Sequence, residues 1–176
     1  NNASVTPPMS HPLWDRCGPL IKRHHRMIPS PVTHALQSTP HPVVLLEGTR
    51  RVEDDWRSAL ASLGRRLAET YPNAIFRSGN AAGSDEAFVE GVASVSGARL
   101  QLILPIASMG RSRWPRGAEC FSLDQIPADE VETLVSACAA ATPANRRLFD
   151  LFVNGPSNNR AYSKTRYLVR DALKVI

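Results

Sequence analysis

Residues 74–85, AIFRSGNAAGSD, join a short apolar run directly to a glycine-bearing turn. The run 74–77 has the length and apolar content of a strand buried in a parallel sheet. A turn from Ser78 to Asp85 follows at once, and apolar residues at helical spacing begin at Ala87. The order predicts a strand, then a tight turn, then a helix.

The neighbouring segments continue the alternation of strands and helices. Residues 43–48, VVLLEG, and 100–104, LQLIL, are short apolar runs that predict two further buried strands. Apolar residues that recur at a spacing near 3.6 predict the inward face of an intervening helix: Trp56, Ala59, Leu60, Leu63 and Leu67. Short connections in this order indicate parallel pairing with right-handed crossovers. Residues 43–176 are therefore predicted to form an α/β, Rossmann-like three-layer domain with a mainly parallel sheet.

Residues 1–42 differ in composition from this domain, because they are rich in proline and carry all five histidines. Such a density of proline predicts an irregular N-terminal extension. The basic run 22–26 suits nucleic acid and the histidines suit a metal ion. The adjacent His24 and His25 would diverge on any regular element, however, so we expect no metal site there. A solvated or packing role is the expectation for this extension.

The segments after the third strand are less regular. Residues 106–127, with Arg111, Arg113 and Arg116 around Trp114, are predicted to be irregular. Residues 163–176 are predicted to form a final helix, whose pattern is still continuing at Ile176. We therefore expect the C-terminal strand or strands of the domain to lie beyond this residue.

Composition narrows the class of protein only moderately. Three scattered cysteines without CxxC spacing argue against a disulfide framework and a zinc site. The formal net charge of +5, carried mostly by arginine, is compatible with nucleic acid or with a small anionic ligand. No run approaches the ~20 apolar residues that a membrane span needs, and no signal-peptide pattern opens the chain. A cytoplasmic protein without a membrane partner is the expectation.

Two turns carry the candidate ligand-binding residues. Ligands of open α/β sheets bind at the carboxyl ends of the strands, where helices begin and their N–H groups favour anions. The first turn, residues 48–51, contributes Gly48, Thr49 and Arg50. The second turn, residues 78–85, contributes Ser78, Gly79, Asn80, Gly83, Ser84 and Asp85. Together they predict a site for a phosphate-bearing ligand.

Each residue type in these turns has a chemical property that bears on ligand binding. Glycine allows backbone conformations and close approaches that other residues resist, and the two serines offer hydroxyl donors. A carboxylate repels phosphate, so Asp85 would cap the helix or accept from a ribose hydroxyl. Arg50 would clamp a phosphate or pair with Asp85. The alternative is that these residues only form a tight turn, which needs glycine for its backbone conformation and binds no ligand.

Other motifs add little or can be set aside. Arg166 and Arg170 lie four apart on the last predicted helix, where they would reach the ligand or form a solvated face. Neither a GxxxxGK[ST] loop nor a GxGxxG turn is present. The histidines all lie in the N-terminal extension, so no Ser/His/Asp grouping emerges.

The two turns resemble those of the SLOG superfamily of Rossmann-like proteins. The resemblance covers residues 43–105 and rests on EGTR at 47–50 and SGNAAGSD at 78–85. It implies that Gly48, Thr49, Arg50, Ser78, Gly79, Gly83 and Asp85 line the pocket. The chain lacks the Pro-Gly-Gly-x-Gly-Thr motif of the LOG enzymes in that superfamily, which cleave a base from a nucleoside monophosphate.

Three functions follow as hypotheses. The first is a binding module or sensor for a nucleotide or an ADP-ribose-like ligand. The second is single-stranded DNA binding, as in the Smf-type DNA-processing proteins, supported by the basic charge and by the arginines around Trp114. The third is a LOG-type N-glycosidic hydrolase, for which Glu47 or Glu86 would have to supply the carboxylate. No cofactor is firmly implied, no catalytic residue can be assigned, and self-association is an open alternative.

Overall fold

The computed structural model describes residues 31–154 and 160–175. The chain divides into two units, residues 1–34 and residues 35–176, and the second unit contains the whole sheet. The basic run 22–26, with His24 and His25, lies outside the described residues. Among those that are described, no helix is long and apolar enough to cross a membrane.

The fold is α/β with a four-stranded parallel sheet in the order β1-β2-β3-β4. The strands are β1 (Val43–Leu46), β2 (Ile75–Ser78), β3 (Leu100–Leu104) and β4 (Glu119–Ser122). The helices are α1 (Pro31–Ser38), α2 (Asp54–Thr70), α3 (Ser84–Ser96), α4 (Ala128–Ala141), α5 (Arg146–Asn154) and α6 (Arg160–Leu173). The predicted Rossmann-like arrangement of three layers is confirmed.

The α2 and α3 helices cover one face of the sheet. The main core consists of side chains from that face and from the two helices, including Phe76, Leu102 and Val92. The helices approach closely at two glycines: a Cβ on Gly91 would lie 2.0 Å from the Ala61 carbonyl oxygen, and one on Gly64 would lie 2.6 Å from the Phe88 carbonyl oxygen. This close contact holds the N-terminus of α3 at the carboxyl edge of the sheet.

The second face of the sheet packs against α6. The Arg77 guanidinium points to that face and donates to the Lys174 carbonyl, just beyond the end of α6, at 3.1 Å. A smaller core of Leu123, Val135, Phe149 and Val169 joins α6 to α4 and α5. This packing brings the C-terminal half of α6 to the same sheet edge as the two turns.

Four expectations from the sequence are wrong in detail. β1 is not buried, because it lies at the edge of the sheet with Val43 and Leu45 exposed. Residues 106–127 are not wholly irregular, since they contain β4, an edge strand with only one fully buried residue. The N-terminal extension is not irregular up to residue 42, because Pro31–Ser38 is a helix; its first proline lies where no backbone N–H is needed. Trp56 and Leu63 are 66% and 47% exposed, and α2 instead buries Gly64 and Ala68.

Candidate functional site

A cavity of about 170 Å³ opens at the carboxyl edge of the sheet, where the second turn meets α6. Its lining is basic, with three arginines and no carboxylate. The complete lining is Arg50, Gly79, Asn80, Ala81, Ala82, Leu104, Met109, Gly110, Arg113, Tyr167 and Arg170. The residues come from the first turn, the second turn, the loop after β3 and α6, so folding alone brings them together.

The second turn forms one wall of this cavity. β2 ends at Ser78, whose buried hydroxyl accepts the Asn80 backbone N–H at 3.3 Å. Asn80 has a φ of 48°, and it is the only non-glycine residue with positive φ among those described. Asparagine tolerates this left-handed conformation better than most residues, although such strain usually accompanies a functional site.

Gly83 joins the second turn to the first. Its φ of 100° is closed to most side chains, and a Cβ would lie 2.5 Å from the Thr49 carbonyl oxygen. That same oxygen accepts the Ser84 backbone N–H at 3.0 Å. The two turns therefore pack backbone against backbone, and Gly83 is required for this contact.

Asp85 ties the same two turns together from the other side. Its carboxylate accepts the Gly48 backbone N–H at 3.1 Å and is nearly buried. Burial raises the pKa of Asp85, although the nearby Lys174 ammonium and the Gly48 and Ala81 N–H groups oppose that shift. Asp85 is not part of the cavity lining and forms no pair with Arg50, contrary to one of the two interpretations of Arg50.

The Tyr167 ring contacts two of the three arginines. The Arg50 guanidinium lies 5.4 Å from the centre of its ring, and the Arg170 guanidinium lies 5.6 Å from it. Both contacts fall within the range of a cation–π interaction. The Tyr167 hydroxyl contacts the Met109 sulfur at 3.5 Å, which fixes the ring against the loop after β3.

Arg170 is the most deeply buried cation in the lining, with 3% of its surface exposed. One of its nitrogens donates to the Ile103 carbonyl at 3.3 Å, and Nε lies 3.0 Å from the Asp171 carboxylate without the alignment of a hydrogen bond. A Cβ on Gly79 would lie 1.8 Å from Nη1 of Arg170. The solvated-face interpretation of Arg170 is therefore wrong, and Gly79 is needed to admit its guanidinium.

The carboxylates near the cavity are engaged by cations. Lys174, 3% exposed, contacts both Glu47 and Asp171. Glu86 accepts from Arg57 and from Arg113, each at 3.2 Å. Glu47 and Glu86, the two candidates for a hydrolytic carboxylate, thus both lie in ion pairs.

Two other residues singled out in the sequence lie away from the cavity. Arg166 donates to the Pro105 carbonyl at 3.0 Å and lines a separate groove of about 360 Å³ between α4, α5 and α6. Trp114 packs against the main core and donates its indole N–H to the Met109 carbonyl at 3.0 Å. Its ring therefore supports the loop after β3.

The predicted site residues divide into two groups. Arg50, Gly79 and Asn80 line the cavity. The others form the support behind it: Gly48, Thr49, Ser78, Gly83, Ser84 and Asp85. Tyr167 and Met109 do not belong to either turn motif and were not predicted. Tyr167 lies three residues before Arg170 on the same helix face, and that spacing was the available signal for it.

Comparison with protein families, with curated proteins and with solved structures gives no match. In residues 31–154 and 160–175, no group of three or more histidine, cysteine or acidic side chains is arranged to hold a metal ion. The inference of function therefore rests on the cavity and on the two turns.

Proposed function

We propose that this domain binds a nucleotide or nucleotide derivative by its phosphate group, in the cavity between the second turn and α6. The observation that carries this proposal is the convergence of Arg50, Arg113 and Arg170 on one cavity whose lining holds no carboxylate. Guanidinium groups match phosphate oxygens in geometry and in charge. The domain then acts as a binding module or sensor.

The size of the cavity supports a ligand that is only partly enclosed. Cavities for whole small molecules measure about 300–1,000 Å³, whereas this one measures about 170 Å³. The phosphate end of a nucleotide or of an ADP-ribose-like molecule fits such a volume, and the remainder would extend outward over Arg50. The resemblance of residues 43–105 to the SLOG superfamily points to the same class of ligand.

The geometry favours this proposal over the two alternatives. Single-stranded DNA binding would draw on aromatic stacking, but Trp114 is half-buried against the core and hydrogen-bonded to the loop after β3. An N-glycosidic hydrolase would need a carboxylate at the ligand, whereas Glu47 and Glu86 lie outside the lining and are held in ion pairs, Glu47 with Lys174 and Glu86 with Arg113.

The test is a thermal-shift titration with AMP, ADP-ribose and inorganic phosphate. A ligand at 100 times its Kd adds about 2.7 kcal/mol to the free energy of unfolding. Arg50→Ala should weaken binding by about tenfold or more, since a hydrogen bond to a charged group contributes about 1.5–3 kcal/mol. Arg51→Ala is the matched control, because Arg51 is exposed and lies outside the cavity lining.

Two results would contradict the proposal. Equal losses from Arg50→Ala and Arg51→Ala would move the binding site away from the cavity. Stabilisation by single-stranded DNA alone, falling steeply with salt, would replace a nucleotide sensor with a DNA-binding function.

A further inference from the structure

Asn80 lines the cavity, and its side-chain amide has no partner among the residues that the structure describes. Asn80 is 9% exposed, and its one hydrogen bond is the donation from its backbone N–H to the Ser78 hydroxyl. An asparagine amide offers two donor hydrogens and an acceptor oxygen. The amide atoms are not sealed off in the protein interior, so they are available to a polar group of the ligand.

The backbone of Asn80 is left-handed at this point, with a φ of 48°. Asparagine adopts this conformation more readily than most residues with a side chain, so the turn can carry a side-chain amide where Asn80 lines the cavity.

The chemistry of the neighbouring groups defines what the amide would bind. The arginines would bind the phosphate, because their N–H donors carry the opposite charge. A neutral amide, which both donates and accepts, instead matches a hydroxyl group.

In a nucleotide, the sugar separates the base from the phosphate, so a sugar hydroxyl is the neutral group nearest to that phosphate that can both donate and accept a hydrogen bond. We infer that the amide of Asn80 binds a sugar hydroxyl, and that the site therefore selects a phosphorylated sugar over other phosphate monoesters. This inference rests on the proposed function and specifies its ligand class.

The experiment compares ribose 5-phosphate with methyl phosphate by chemical-shift titration of the full chain. The wild-type protein should bind ribose 5-phosphate about tenfold more tightly, as one buried hydrogen bond implies. Asn80→Gly keeps the left-handed backbone and removes the amide, so this variant should bind the two compounds about equally. Ala107→Gly, in the loop after β3 but outside the cavity lining, controls for added flexibility and should keep the preference.

The outcomes separate the two proposals. A tenfold preference that survives in Asn80→Gly, or equal affinities in the wild type, would overturn the role of Asn80 while leaving phosphate binding intact. If neither compound nor inorganic phosphate shifts signals from the cavity, the proposed function and this inference both fail.

Discussion

The two turns at the carboxyl edge of the sheet have similar compositions and different roles. The second turn presents Gly79 and the strained Asn80 to the cavity. The first turn is mostly a support: its Gly48 N–H is bound by Asp85, its Thr49 carbonyl by Ser84, and only Arg50 reaches the cavity. A glycine-bearing turn after a parallel strand is therefore not by itself evidence of a ligand contact.

Gly83→Ala tests the contact between the turns and should have the largest effect. The new Cβ would meet Thr49 and Arg50 backbone atoms at 2.5–2.7 Å, at a φ that disfavours any side chain. We expect the free energy of unfolding to fall by about 3 kcal/mol or more, as measured by urea denaturation. Gly110→Ala is the control: its φ is also positive, but the nearest atom lies 3.5 Å away, so about 1–2 kcal/mol is expected.

Gly79→Ala tests the binding role of the second turn. Its Cβ would displace the Arg170 guanidinium from the cavity and from the Ile103 carbonyl. The free energy of unfolding should fall by about 2 kcal/mol, and phosphate binding should be lost in the thermal-shift titration. Unchanged affinity in this variant would show that Arg170 does not contribute to binding.

Asp85→Asn tests the carboxylate that supports the first turn, through the pH dependence of stability. Because burial raises the pKa of Asp85 above its ordinary value of 3.8, the folded state holds this proton more tightly than the unfolded state. The contribution of Asp85 is full below pH 3.8 and is lost as pH rises through the raised pKa. As pH rises across that window, the free energy of unfolding of the wild type should therefore fall relative to that of Asp85→Asn. If the difference in free energy of unfolding between the two proteins does not change with pH, the raised pKa of Asp85 is contradicted.

Tyr167 substitutions should have the smallest effect and distinguish the ring from its hydroxyl. Tyr167→Leu removes the aromatic face beside Arg50 and Arg170, so affinity for phosphate should fall a few-fold, in keeping with about 0.5–1 kcal/mol per cation–π contact. Tyr167→Phe keeps the ring and should bind normally. Equal losses in both variants would assign the effect to the Met109 contact.

The sheet around the second turn was predictable because its signals are local. β1, β2 and β3 are apolar runs, although β1 lies at the edge of the sheet with Val43 and Leu45 exposed, and β1 and β2 are each followed by a turn and a helix. β4 was missed because an edge strand reading Glu-Cys-Phe-Ser has no such run. The inward face of α2 was misassigned because Gly64 and Ala68, which allow the close approach to α3, carry little apolar signal.

The candidate site was only half predictable. Arg50, Gly79 and Asn80 follow from the turn motifs, but the role of Arg170 depends on where α6 packs, and a helix pattern does not specify that position. Arginine is rarely buried, so the sequence favours solvent for it. Its burial follows from the Gly79 backbone and the Ile103 carbonyl, which lie far from it in sequence.

The order of the strands has a kinetic consequence. Each strand pairs with its immediate neighbour along the chain, so the sheet can assemble stepwise from relatively short loops as the polypeptide emerges from the ribosome. Lys174, by contrast, reaches Glu47 across 127 residues, and Arg170 arrives with the same helix. In refolding experiments, ligand affinity should therefore recover no earlier than the secondary structure.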